Sequence, residues 1–210
     1  MIELEYKYKL IKIPEELSYL SIKKITKQND IYYDTADYSL IKKGNFLRIR
    51  NNDKIDFKID IGDDTHLYCK ETSFKVSEIC KRINDINKVL LSVGLPKSKS
   101  ILKNENFLLE NNFIELARIN KIRTIYELDE NCNLCIDEVD NLGLFLEAEV
   151  IINSNDINQI KAEKIKSGLE KRLIENKFID SSSERINTGY VELYLLMYNP
   201  NVYELGKFKI

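Results

Sequence analysis

The 210-residue sequence contains one histidine, three prolines, seven glycines, four cysteines and no tryptophan. A Ser-His or Cys-His hydrolase would have to use the single histidine, His66, as its base, and we interpret that residue as part of a surface loop. No apolar run approaches the roughly 20 residues needed to cross a bilayer, and charged residues begin at position 3, unlike a signal peptide. We therefore expect a cytoplasmic protein with no membrane partner.

The four cysteines do not predict a metal or redox site. Cys132 and Cys135 form a CxxC motif, but they lie in a strand-like segment where residues three apart point to opposite faces. A redox CxxC normally begins a helix, and a structural zinc site needs more ligands than Cys69, Cys80 and His66 provide. We interpret all four as reduced cysteines.

The charge balance limits the class of partner. Lysine and arginine number 32, aspartate and glutamate number 34, and the formal net charge is −2. Such a balance does not favour binding to nucleic acid or to an anionic membrane. Because no linker, repeat or low-complexity tract interrupts the chain, the sequence predicts a single domain over residues 1–210.

The segment Ile2–Leu10 alternates between charged and apolar residues. Glu3, Glu5, Lys7 and Lys9 occupy every second position, and apolar or aromatic residues occupy the others. This is the period of a β-strand with one charged and one apolar face. Taken alone, the pattern also fits an edge strand whose charged face is in water.

The same separation of charged and apolar faces recurs in later segments. Residues 189–198 fit either a strand or a closing helix, and residues 96–112 fit a loop with a short helix or strand. The remaining elements follow from period-two and helical patterns. Strands are predicted at 31–35, 46–50, 55–60, 66–74, 117–128, 134–139 and 144–152, and long helices at 77–95 and 155–177.

These faces predict how the sheet is arranged. If helices cover the apolar side, the charged side lines the interior of a closed sheet, and a barrel of about eight strands is just wide enough for one small ligand. Charges of both signs would be too costly in a dry interior. The sequence therefore predicts an α+β fold, an eight-stranded antiparallel β-barrel with helices outside and a wet, charged interior. A flat sheet with one solvated face is the alternative.

Several motifs occur in a characteristic order. They are ELEYK at 3–7, YYDT at 32–35, LRIR at 47–50 and IDEVDNLGLFLEAEV at 136–150. Together they resemble the CYTH, or triphosphate tunnel metalloenzyme, family over nearly the whole chain. The resemblance implies a tunnel that binds a triphosphate and one or two divalent cations, Mg²⁺ or Mn²⁺.

The resemblance also implies roles for individual residues. Tyr32 and Lys58 match a tyrosine–lysine pair that assists hydrolysis, whereas Lys70 stands where relatives have an Arg-x-Glu motif and Glu71 has no assigned role. The implied metal ligands are Glu3, Glu5, Asp137, Glu147 and Glu149, and the implied phosphate-binding bases are Lys7, Arg48, Arg50, Lys58, Lys121, Arg123 and Arg185.

These residues favour a metal-dependent triphosphatase. The alternatives are an adenylyl cyclase of the same family, which makes cyclic AMP and pyrophosphate from ATP, and a non-catalytic polyphosphate- or nucleotide-binding module. The two Glu-x-Glu motifs disfavour the module. The group attached to the triphosphate stays open, as does a homodimer. We also expect the bases to repel one another in an empty tunnel, so that replacing Arg48, Arg50 or Arg123 would not harm the substrate-free protein.

Overall fold

A computed structural model describes residues 2–60, 69–98, 107–152 and 159–209. The side chains of residues 2, 3, 107, 151, 152 and 159–163 lie outside this description. His66 and the first part of the predicted strand 66–74 therefore fall outside the described residues, as do residues 99–106 of the segment 96–112 that sequence patterns assign least well. Among the described residues, no helix has both the length and the apolar character needed to span a membrane.

The described strands form one antiparallel sheet of nine strands in the order β5-β4-β3-β2-β6-β7-β8-β1-β9. β1 also pairs with β5, so the sheet curls back on itself and the first eight strands form a closed circuit of pairings. The predicted α+β barrel is confirmed, with one strand more than predicted. The strands are β1 (Ile2–Leu10), β2 (Ile22–Thr35), β3 (Phe46–Arg50), β4 (Lys54–Asp60), β5 (Cys69–Lys75), β6 (Phe113–Asp129), β7 (Cys132–Val139), β8 (Gly143–Ile152) and β9 (Glu184–Ile186).

Helices cover the apolar, outward side of this sheet, as the alternating patterns predict. Ile79, Ile86 and Leu90 of the first helix pack with the outer face of β2 to β5. Leu169 and Leu173 of the third helix pack with β1, β7 and β8. Burying these two surfaces leaves the opposite faces of the strands pointing inward. The helices are α1 (Ile79–Ser92), α2 (Phe107–Glu110), α3 (Gln159–Glu175), α4 (Tyr190–Tyr198) and α5 (Pro200–Tyr203).

The apolar segment near the C-terminus, which the sequence leaves between strand and helix, is helix α4. Its side chains Tyr190, Val191 and Leu195 are buried in a cluster with Phe46 and Phe145. Phe145 shares the face of β8 that carries Glu147 and Glu149, since residues two apart lie on one side of a strand. The inner face of the barrel is therefore apolar at one end, where α4 packs against it, and charged beyond that end.

Candidate active site

A cavity of about 240 Å³ lies between the inner faces of the strands. Gly189, Tyr190 and Val191 at the start of α4 form part of its wall, together with Phe46 and Tyr32. Charged side chains of both signs form the rest, so the charged faces point inward as predicted. The bases on the wall are Lys7, Arg48, Arg50, Lys58, Lys121 and Arg123, and the acids are Glu5, Asp56, Glu71, Glu147 and Glu149.

Strands β1 and β8 bring three carboxylates and a lysine together. In their antiparallel register Glu5 lies opposite Glu149, and Lys7 lies opposite Glu147. The Lys7 Nζ atom is 3.2 Å from Glu147 Oε1 and donates a hydrogen bond of 3.1 Å to the Thr188 carbonyl. Cross-strand neighbours of this kind are held by the sheet itself, so the backbone fixes this part of the wall.

The pKa values of the two glutamates of β8 are shifted in opposite directions. Burial alone would raise the pKa of Glu147, but Arg123, Lys7 and Lys121 outweigh it and hold that pKa well below its usual value. Burial raises the pKa of Glu149, and the acids Glu147 and Glu5 raise it further against the opposing charge of Arg123. Glu147 is therefore ionised at neutral pH, whereas an additional positive charge nearby would stabilise the ionised form of Glu149.

Arg123 on strand β6 contacts three carboxylates, one on β7 and two on β8. Arg123 donates from Nε and Nη2 to the two oxygens of Asp137, each at 2.7 Å. Its Nη1 donates to Glu149 Oε1 at 2.7 Å, and Nη2 also contacts Glu147. The fork of the guanidinium allows this many bonds at once, which an ammonium group could not make in the same geometry.

Asp137 is fully buried behind these bases. Besides Arg123, its Oδ2 accepts hydrogen bonds from Lys121 Nζ at 2.6 Å and from the Tyr190 hydroxyl at 2.9 Å. The structure thus places Asp137 under Arg123 and Lys121, whereas the resemblance implies a metal ligand beside Glu5. Both lysines of this region also lie against Tyr190, with Lys7 and Lys121 Nζ at 4.5 and 4.7 Å from its ring centre.

On the opposite wall, two arginines are held by two aspartates that the sequence analysis missed. Arg50 donates from Nε and Nη2 to Asp30, both at 2.7 Å, and Arg48 Nε donates to Asp56 at 3.1 Å. Asp30 and Asp56 are each only 2% exposed. A signal for them was available, since Asp30 shares the face of Tyr32 and Asp56 shares the face of Lys58 at period two.

These pairs correct the expectation that the bases repel one another in an empty tunnel. Arg48, Arg50 and Arg123 each contact at least one buried carboxylate. Removing such an arginine would take one cationic partner from a buried carboxylate, and an uncompensated buried charge costs up to about 3–5 kcal/mol. Their replacement is therefore expected to destabilise the substrate-free protein, because acids are interleaved with the bases.

The Asp30 pair gives a test of this interleaving. Burial would raise the pKa of Asp30, but the hydrogen bond from Arg50 and the charge of Arg48 hold it below the usual 3.8. We expect Asp30→Asn to lower the free energy of unfolding by about 1.5–3 kcal/mol at pH 7. A depressed folded pKa contributes stability above the unfolded pKa, so the difference should shrink as the pH falls from about 4 through the folded pKa of Asp30.

Urea unfolding of both proteins between about pH 2 and pH 7 measures this difference. Asp53→Asn is the control, since Asp53 lies in the exposed turn beside the same hairpin. A loss of stability that persists undiminished well below pH 3 would contradict the ionic role of Asp30.

Tyr32 and Lys58 line the same cavity but are separated by β3. Tyr32 lies opposite Arg48 in the register, and Lys58 lies opposite Phe46. The Tyr32 hydroxyl accepts a hydrogen bond of 3.4 Å from Arg48, and burial raises its pKa, so the phenol stays protonated at neutral pH. The Lys58 Nζ atom is 3.8 Å from Glu5 Oε2.

Besides Asp137, three residues named in the sequence analysis are absent from the described cavity wall. Arg185 on β9 stacks over the ring of Tyr6 at 4.4 Å and contacts Glu170 of α3, so it lies on the outer side of the sheet. Lys70 is exposed, whereas its neighbour Glu71 lines the cavity. The side chain of Glu3 is outside the description, although its backbone pairs with β5 and β8.

The cysteines are free thiols, as predicted. Burial raises the pKa of Cys132 to about 11, and it also raises the pKa of Cys135 on the inner face. Because the thiolate is the reactive form, both side chains are inert at neutral pH.

The carboxylates of the cavity fit a divalent cation in their chemistry. Glu5, Glu147 and Glu149 offer the hard oxygen donors that Mg²⁺ and Mn²⁺ take, and burial, with a further contribution from the charges of Glu147 and Glu5, raises the pKa of Glu149. Yet among the described residues no three acidic, histidine or cysteine side chains are grouped so as to hold a metal ion. The physical reason is that Glu147 and Glu149 are turned to Arg123.

Known proteins are similar to this chain over most of its length. The CYTH domain family matches residues 1–179. A Methanocaldococcus jannaschii protein named "Putative adenylate cyclase MJ0240" is 31% identical over 199 residues, which are 92% of this chain and 98% of that protein.

Solved structures share the fold at lower identity. The PH1819 protein of Pyrococcus horikoshii matches with a TM-score of 0.62 and 20% identity, over 93% of this chain and 99% of that one. A Hippeastrum protein described as a "putative adenylyl cyclase" with a dominant triphosphatase activity matches with a TM-score of 0.59 and 17% identity, over 97% and 94% of the two chains. The curled sheet, the inward charges and the match over most of the sequence together establish that this chain belongs to the CYTH family.

Proposed function

We propose that the protein hydrolyses a small molecule containing a triphosphate, in the cytoplasm and with Mg²⁺ or Mn²⁺, inside the barrel cavity. The observation that carries the proposal is the convergence of six bases and four glutamates on one cavity of about 240 Å³. A chain of linked phosphates carries several negative charges, and a wall of interleaved bases matches it better than it matches a neutral ligand. Triphosphatase activity is also named for the Hippeastrum relative.

The bases would act by positioning and by charge stabilisation. Arg48, Arg50 and Arg123 present forks that can bind phosphate oxygens in pairs, and the lysines act as point charges. Glu5, Glu147 and Glu149 would hold the cation, with Glu3 implied beside them. A bound Mg²⁺ or Mn²⁺ would supply charge neutralisation and polarise a phosphate oxygen. Phosphoryl transfer depends mostly on such effects, so no covalent protein intermediate is needed.

Lys58 and Tyr32 are the groups that we assign to the reacting end of the substrate. The Lys58 side chain is 25% exposed, against 4% for Lys7 and 3% for Lys121, so its ammonium can reach an incoming phosphate most easily of the three. The protonated phenol of Tyr32 can donate a hydrogen bond to a phosphate oxygen once Arg48 turns to the substrate.

Lys58→Ala tests this assignment. We expect tripolyphosphate hydrolysis to slow by about tenfold to a hundredfold, which corresponds to the loss of one charge-assisted contact. Steady-state phosphate release with saturating Mn²⁺ measures the effect. Lys54→Ala is the control, because Lys54 lies on the same strand outside the cavity wall and pairs with Asp56. Equal rates for both variants would remove Lys58 from the mechanism.

Adenylyl cyclase activity is the second candidate, favoured by the name of the relative that is 31% identical. Both reactions need the same acids and bases, and they differ in which oxygen is aligned with the phosphorus that is attacked. A screen of tripolyphosphate, thiamine triphosphate and ATP with Mg²⁺ or Mn²⁺, with phosphate, pyrophosphate and cyclic AMP resolved, separates them. Inert tripolyphosphate alongside cyclic AMP from ATP would overturn the hydrolase, and binding without any product would favour a sensor module.

A further inference from the structure

Arg123 joins the two sets of residues that the proposed function uses separately. It is anchored to Asp137 by two hydrogen bonds of 2.7 Å, and from there its Nη1 and Nη2 reach across β7 to Glu149 and Glu147 of β8. One side chain assigned to phosphate therefore occupies two side chains assigned to the cation. We call the contacts of Arg123 with Glu147 and Glu149 the latch.

The latch can open without disturbing the rest of the wall. The bonds from Nε and Nη2 to Asp137 do not involve the glutamates, so they can hold the guanidinium in place when Glu147 and Glu149 turn away. Glu147 also keeps Lys7 as a partner, and Lys7 is held in turn by the Thr188 carbonyl. Only the side chains of Arg123, Glu147 and Glu149 need to change their bonds.

We propose that the latch makes cation binding and triphosphate binding mutually dependent, an inference that rests on the proposed function. Phosphate oxygens that accept the N–H groups of Arg123 now bonded to Glu147 and Glu149 release the two carboxylates to the cation. A cation that takes the carboxylates frees those N–H groups for phosphate. Since such coupling is reciprocal, each ligand strengthens the other by the same factor. It follows that the substrate-free protein binds the cation weakly because Arg123 competes for the same oxygens.

Replacing Arg123 with lysine tests the latch, because lysine keeps the charge but lacks the fork that reaches three carboxylates. Mn²⁺ binding to the substrate-free protein is measured by electron paramagnetic resonance, without phosphate. We expect Arg123→Lys to bind Mn²⁺ about tenfold more tightly than the unaltered protein, which corresponds to the release of one charge-assisted bond. Arg50→Lys is the matched control, since Arg50 is on the same wall but binds Asp30, and it should leave Mn²⁺ affinity unchanged.

Unchanged Mn²⁺ affinity in Arg123→Lys, or an equal change in both variants, would overturn the proposal. If Arg123→Lys does not fold, as judged by circular dichroism, Arg123→Gln and Arg50→Gln form a second pair in which the lost charge is equal. The first should then tighten Mn²⁺ binding more than the second. The unaltered protein supplies an independent measurement: adding Mg²⁺ should shift the side-chain nitrogen resonance of Arg123, and an unshifted resonance at saturating Mg²⁺ would overturn the latch.

Failure of the latch and failure of the hydrolase assignment have different signatures. The Mn²⁺ comparison involves no turnover. Tighter Mn²⁺ binding in Arg123→Lys together with no cleavage of any triphosphate would support the latch and overturn the hydrolase. Cleavage of tripolyphosphate together with unchanged Mn²⁺ affinity in Arg123→Lys would support the hydrolase and overturn the latch.

Discussion

Replacing Glu147 with glutamine should abolish triphosphate turnover. A neutral amide is a much weaker ligand for a hard cation than a carboxylate, and Glu147 is one of the acids on the cavity wall that we assign to the cation. Because the pKa of Glu147 lies well below the usual value, its carboxylate is charged at neutral pH, and the substitution removes that charge. Phosphate release from tripolyphosphate at limiting and saturating Mg²⁺ measures the loss.

The matched control for that experiment is Glu138→Gln. Glu138 lies on the neighbouring strand β7 and is exposed, outside the cavity wall. Thermal unfolding should accompany the assay, since the glutamine also weakens the contacts of Glu147 with Lys7 and Arg123. A folded Glu147→Gln protein with full activity at limiting Mg²⁺ would remove Glu147 from the proposed cation site.

Replacing Asp137 with asparagine should lower the free energy of unfolding by about 3–5 kcal/mol, as expected when one partner of a buried ionic group is neutralised. The substitution leaves Lys121 and Arg123 buried beside one another without the anion that they share, and it weakens the acceptor of the Tyr190 hydroxyl. Urea unfolding at pH 7 measures the change. The comparison is Asp140→Asn, three residues further on in an exposed turn.

The same variant decides between two roles for Asp137. The structure makes it the common anchor of two bases and a tyrosine, whereas the family resemblance implies a metal ligand. Unaltered stability together with lost Mn²⁺ binding would favour the metal ligand. Lost stability with Mn²⁺ binding retained would favour the anchor.

Sequence patterns predicted the faces of the strands better than the partners across them. Alternation with period two fixes which side of a strand a residue takes, so the inward position of Glu5, Lys7 and Lys58 followed from the sequence. Which acid meets which base depends on register between strands that are distant in the chain, and period two carries no information about it. Hence the sequence analysis missed the pairing of Asp30 with Arg50, and it expected repulsion among arginines that the structure pairs with carboxylates.

Two elements escaped the patterns for other reasons. Strand β9 spans only Glu184–Ile186, which is too short to display a period, so Arg185 was assigned by resemblance alone and lies on the outer side. Helix α4 is apolar on all sides, and such a segment has no amphipathic period to separate helix from strand. The segment is instead fixed by its tertiary contacts, since it packs against Phe46 and Phe145 at the apolar end of the barrel.

The pairing of β1 has a consequence for the order of folding. β1 pairs along its whole length with β8, and its residues 7–9 pair with β9. The Lys7 side chain also donates a hydrogen bond to the carbonyl of Thr188, 181 residues away. During synthesis the first strand therefore leaves the ribosome long before these partners exist, while β3, β4 and β5 can form as successive hairpins. Contacts this distant in sequence form slowly. We expect the charged cavity to be completed in the final step of folding, when the C-terminal third of the chain encloses β1.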